Sequence, residues 1–113
     1  MILSGGENAY PEVLREALAA LDAVKDVAVV AYPDLEFGTR LAAFVVLKED
    51  RSSTSEEDLR VLLSAKLPRY QMPGRIIHLA ALPRLENGKV AEGTLREIIK
   101  KTLQAEERYE DRA

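Results

Sequence analysis

Just after Pro11 the apolar positions fall at helical spacing. Val13, Leu14, Ala17, Leu18 and Leu21 share one face, which predicts an amphipathic helix over 11–22 with the proline at its first helical position. The pattern then changes. "VAVVAY" (27–32) is short, β-branched and apolar at both parities, as expected of a strand covered on both faces. "PDLEFGTR" reads as a turn, punctuated by Pro33, Asp34 and Gly38, and "LAAFVVL" (41–47) as a second buried strand that pairs antiparallel with the first. Further on, Thr54 and Glu57 have capping-box spacing for a helix that carries Leu59, Leu62 and Leu63 inward and stops by Pro68. "RIIHLAAL" (75–82) is the third strand. Thr94 and Glu97 repeat the capping-box spacing ahead of a last helix with Leu95, Ile98, Ile99 and Leu103 as its apolar stripe. The fold class expected is α+β: a small three-stranded, mainly antiparallel sheet packed by helices, preceded by a short hairpin-like segment. Residues 1–104 form the domain, and the charged tail 105–113 is expected to fray.

Composition narrows the functions open to such a domain. The chain has 113 residues, 47% of them hydrophobic and 31% charged, which suits one globular unit with one core. Sixteen basic and nineteen acidic residues are scattered along it for a net charge of −3, a balance that attracts neither nucleic acid nor an anionic membrane. There is no cysteine, so disulfides and thiolate chemistry are excluded, and the single histidine, His78, cannot build a metal site alone. No apolar run approaches the roughly 18 residues of a membrane span, and the opening residues lack the pattern of a leader, so a cytoplasmic protein is expected. "MILSGG" resembles the middle of a strand and turn, as though cut from a longer chain.

Two stretches carry candidate chemistry. In "LENGKV" the Asn87–Gly88 pair favours a tight turn with positive φ and thrusts Lys89 outward. Local logic leaves open whether that lysine is solvated trim or a delivered cation. Arg84 either braces the loop or meets solvent. In "SGGENAYP", Gly5 and Gly6 let the backbone approach a ligand or another part of the domain and bare their amides; the alternative is a plain hairpin turn entering the first helix. Elsewhere the ordinary reading is preferred. His78 is a strand residue, Glu56, Glu57 and Asp58 are a helix-start cluster, and Tyr32 and Tyr70 pack.

In order and spacing, "ILSGGENAYPEVLREAL", "VVAYPDLEFGTRLAAFVVLKED", "LPRYQMPGRIIHLAALPRLENGKV" and "LRE" resemble the C-terminal domain of acyl-CoA synthetases in the adenylate-forming superfamily. The likeness covers Ile2 to about Lys101. It implies a mobile lid that closes over a large N-terminal core binding ATP, with its Mg2+, and a carboxylic acid. Lys89 would then bridge the carboxylate and the α-phosphate as acyl-adenylate forms. A compact, preorganised cation suits two anions that must approach each other. In a second orientation the segment Ser4, Gly5, Gly6 and Glu7 would line the path of the CoA pantetheine thiol. Arg84, Asn87 and Gly88 would support the lysine loop.

The resemblance also implies that ATP and CoA belong to the full-length enzyme, that the separate domain binds no cofactor, and that alone it is inactive. The hinge residue of the family would fall just before Met1. Gln71 and Gly74, and again Ala91 and Glu92, stand where relatives carry more positive charge. The lid of a carrier-protein-dependent adenylation enzyme and a non-catalytic interaction module are the alternative readings. An RNA-binding domain of similar fold is disfavoured by the charge and by the absence of an aromatic, basic sheet face.

Overall fold

A computed structural model describes the backbone of residues 2–4, 7–36 and 38–112 and the side chains of residues 9–36 and 38–107. It divides into two compact units, Met1–Leu82 and Pro83–Ala113.

The first unit opens with a hairpin, β1 (Ile2–Ser4) and β2 (Glu7–Ala9), in the register Ile2↔Ala9 and Ser4↔Glu7. Helix α1 (Pro11–Ala19) follows, with its proline where a missing N–H costs nothing. It ends three residues earlier than the apolar spacing predicts. The Ala20 N–H reaches back to the Glu16 carbonyl and the Leu21 N–H to the Leu18 carbonyl, tightening the last turn and releasing the chain into β3 (Val24–Asp34). A hairpin with Gly38 at φ +80° then leads into β4 (Gly38–Leu47). Both strands are longer than expected, because cross-strand pairing runs through the turn residues as far as Asp34↔Gly38.

Helix α2 (Glu56–Ser64) begins one residue later than its nominal capping box. Ser55, not Thr54, is the N-cap: its hydroxyl accepts from the Asp58 N–H while the Asp58 carboxylate accepts from the Ser55 N–H. Leu59 and Leu63 are fully buried, whereas Leu62, expected inward, is 47% exposed on the flank. Strand β5 (Arg75–His78) is half the expected length and lies parallel to β4, giving the sheet order β3-β4-β5. The segment between β4 and β5, which contains α2, is the crossover that a parallel neighbour demands.

Leu14 and Leu18 of α1, Leu59 and Leu63 of α2, and Val27, Leu41, Ala43, Val45 and Ile76 of the sheet form the core. Burying each of these leucines is worth roughly 1.5–3 kcal/mol. Val30, Tyr32, Ala42 and Phe44, at the opposite parity, are buried as well, as the two-sided apolar pattern requires. Arg60 of α2 forks onto the turn before β5, donating to the carbonyls of Pro73 at 2.9 Å and Gly74 at 3.3 Å. That turn receives Tyr32, which is 3% exposed; Tyr70 nearby in sequence is 43% exposed and only partly packs.

The second unit consists of a loop over residues 83–91 and helix α3 (Glu92–Arg112). The first helical bonds, from the N–H groups of Thr94 and Leu95, go to the Ala91 carbonyl. The helix therefore starts three residues earlier than a Thr94–Glu97 box would place it, and its backbone continues through residues 105–112. Leu95 and Ile99 of its stripe are buried. Among the described residues no helix is long and apolar enough to cross a membrane.

Candidate functional site

Pro83 and Ala91 close the base of the lysine loop, the Ala91 N–H donating to the Pro83 carbonyl at 2.8 Å, and Arg84 and Val90 form an antiparallel bridge just above. Within that frame the chain reverses over Leu85–Gly88, with the Gly88 N–H on the Leu85 carbonyl at 2.9 Å. Gly88 takes φ +86°, and no described non-glycine residue has a positive φ. Asn87 thus keeps an ordinary backbone, and the reversal is a tight turn followed by one left-handed glycine, a loop that Leu85 and Lys89 complete through the Leu85 N–H to Lys89 carbonyl bond at 2.8 Å.

The peptide groups on both sides of the Lys89 Cα are held. On one side Arg84 Nη1 donates to the Gly88 carbonyl at 2.9 Å, and Asn87 Oδ1 accepts from the Lys89 N–H at 3.0 Å. On the other, the Lys89 carbonyl accepts from Leu85. The side chain itself is exposed, as are Glu86, Asn87 and Gly88. Among the described residues no carboxylate pairs with the Lys89 ammonium. A fixed stalk with an uncommitted cation can approach anionic groups with little reorganisation of its own backbone.

The other predicted set belongs to the first unit. Ser4 and Glu7 face each other in the hairpin register. Gly5 and Gly6 lie outside the described residues, as do the side chains of Ser4 and Glu7. At the base of this hairpin stands a residue that the hydrophobic pattern could not single out. Gln71, in a short 3-10 turn (Arg69–Gln71), is 3% exposed and is the buried polar side chain of the described residues. Its Oε1 accepts from the Tyr10 N–H at 3.0 Å and its Nε2 donates to the Tyr10 carbonyl at 2.7 Å. Its signals in the sequence are a carboxamide between two prolines, Pro68 and Pro73, and its standing where the family resemblance leads one to expect positive charge; neither points to Tyr10.

His78 is exposed at the end of β5. Of the acidic cluster, Asp58 is spent on the helix cap, and its carboxyl is held below the ordinary aspartate value of 3.8 by the hydrogen bonds from Ser55. Among the described residues no three acidic or histidine side chains converge as a metal site would need.

The chain belongs to the family of AMP-binding enzyme C-terminal domains, whose sequence model matches residues 15–89. It is similar to the long-chain-fatty-acid–CoA ligase FadD13 of Mycobacterium tuberculosis, with 36% identity over 91% of this chain and 20% of that protein. The solved fatty acyl CoA synthetase of Mycobacterium tuberculosis superposes with a TM-score of 0.79 at 35% identity over 90% of this chain and 20% of that one. ATP-bound MatB from Rhodopseudomonas palustris does so with a TM-score of 0.80 at 30% identity over 88% of this chain. The chain therefore spans about 20% of the length of the relatives it matches.

Proposed function

We propose that this domain is the mobile lid of an acyl-CoA synthetase, which activates a carboxylic acid with ATP to an acyl-adenylate and passes the acyl group to CoA. Lys89 is its catalytic cation. As carboxylate oxygen attacks the α-phosphorus and pyrophosphate leaves, the ammonium lies between two anionic partners and opposes their repulsion; it transfers no proton. Arg84, Asn87 and Gly88 keep the stalk of that lysine in place. The hairpin segment Ser4–Glu7 serves the second half-reaction, where thin glycine backbone would flank the pantetheine arm. ATP, its Mg2+ and the acid are held by an N-terminal core, and the chemistry assigned to this domain runs through Lys89.

The observation that carries this reading is the immobilised backbone on both sides of an exposed lysine that no described carboxylate neutralises. The names of the relatives support the reaction class: they are ligases of acids to CoA. The test adds the chain to a synthetase core lacking its C-terminal domain and follows acid-dependent pyrophosphate release. Restored release that falls roughly 100- to 1,000-fold with Lys89→Ala is expected. Equal rates for wild type and Lys89→Ala, or vigorous acyl-CoA synthesis by the chain alone, would overturn it.

A further inference from the structure

The N-cap residue of α1 is Tyr10, which has no side-chain cap of its own. In a capping box the third helical residue would bond the N-cap N–H. Here the third helical position is Val13, which cannot. That bond is made instead by Gln71, 61 residues away, and the same carboxamide also binds the Tyr10 carbonyl. The carbonyl's only other described partner is the Leu14 N–H at a longer 3.3 Å.

A carboxamide suits this place and few other side chains do. The Tyr10 main chain presents one donor and one acceptor, and only a group with an oxygen and an N–H side by side satisfies both. A lysine or arginine would offer donors alone, and a glutamate acceptors alone. Burial raises the stakes, since at 3% exposure of Gln71 water is a poor substitute.

Tyr10 follows β2 directly. Ala9, the last residue of β2, is itself 1% exposed in the core, and it pairs with Ile2 of β1. The base of the hairpin is thereby fixed at two adjacent residues, by a packed methyl at Ala9 and a double hydrogen bond at Tyr10. Neither bond involves the lysine loop, which is held by its own internal contacts.

We infer that Gln71 is a positioning residue for the thiol half-reaction: through the Tyr10 main chain it fixes where β2 leaves the body of the domain, and so where the hairpin meets the pantetheine arm. This rests on the lid reading given above. Loss of the clamp leaves adenylation intact and slows acyl transfer from the adenylate to CoA.

Gln71→Met keeps length and burial and removes both hydrogen bonds; Gln71→Glu keeps the acceptor and loses the donor. Amide exchange on the 113-residue chain is expected to accelerate at Tyr10 by about fivefold or more in Gln71→Met, the equivalent of one lost hydrogen bond, while Phe44 in β4 is unchanged. With the synthetase core, the kcat of acyl transfer from preformed adenylate to CoA should fall by roughly ten- to a hundredfold, as for a catalytic surface displaced by a fraction of an ångström. Pyrophosphate release should stay at the wild-type rate, and Gln71→Glu should fall between.

Unchanged exchange at Tyr10 would show that the clamp holds nothing. Faster exchange with normal acyl transfer, or an equal fall in both half-reactions, would leave Gln71 a structural residue and overturn the proposal. A wild-type chain that supports neither half-reaction sinks the lid reading, and this inference with it; a working wild type beside an unaffected Gln71→Met sinks this inference alone.

Discussion

The Tyr32 hydroxyl rests against the Cα of Gly74 so closely that a methyl group there would lie 2.1 Å from the oxygen and 3.0 Å from Arg40 Nε. The glycine is demanded by this approach and not by its backbone, whose φ is outside the left-handed region. Gly74→Ala should therefore destabilise the domain by about 1–3 kcal/mol, the usual cost of overpacking, as read from urea unfolding. In Gly74→Ala/Tyr32→Phe the clashing oxygen is gone, so the double variant should be more stable than the sum of the two single losses. Strict additivity would count against the contact.

At Gly88 the same substitution probes the opposite cause. A methyl group there meets nothing within 4 Å, but φ is +86°. Gly88→Ala should cost the second unit about 1–2 kcal/mol, the penalty of a left-handed L-residue, and Gly88→Asn less. Faster amide exchange at Leu85 and Gly88, whose N–H groups close the turn, is the measurement.

The cap of α2 gives a pH dependence with a definite sign. Hydrogen bonds from Ser55 lower the Asp58 carboxyl below its ordinary 3.8, so on acidification the unfolded chain takes up this proton before the folded one does. The stabilisation is complete above the ordinary value and is lost as pH falls from there through the lowered value. Asp58→Asn should be less stable than wild type at neutral pH, and the gap should close in acid. Ser55→Ala, which removes the capping hydroxyl, should cost about 1 kcal/mol at neutral pH.

Asn87 and Arg84 share the work of holding one peptide group. Asn87→Ala and Arg84→Met should each lower adenylation about tenfold or less, far short of Lys89→Ala, because each leaves the bond from Leu85 in place. Loss of acyl transfer without loss of pyrophosphate release in either variant would contradict a role confined to the lysine loop.

Helix α1, the paired strands and the buried leucines of α2 were legible because period and burial coincide there. The cap of α2 was misplaced by one residue because Thr54/Glu57 and Ser55/Asp58 have the same spacing and similar chemistry; the two boxes differ only in where the helix actually begins. Leu62 shows the same limit. At i+3 from Leu59 it shares the apolar face with Leu59 and Leu63, but the core takes those two and leaves Leu62 at the edge of the stripe, where spacing alone does not mark the difference. The parallel setting of β5 depends on the crossover, and its short length on where residues 79–82 leave the sheet. Lys89 stood out through its motif. Gln71 was noticed only as a missing positive charge, and its buried role was not legible, because a polar residue in a loop looks solvated until its partner, 61 positions earlier, is known.

Strand β3 forms one border of the sheet, and its segment "VAVVAY" is the kind of apolar, β-branched sequence that invites pairing between molecules. Exposed Lys25 flanks it on one side, and Pro33, which has no amide hydrogen to offer, on the other. A neighbouring molecule extending the sheet past that border would have to bury the Lys25 charge at one end and would meet a missing donor at the other. The same strand that builds the core thus carries its own guard against aggregation.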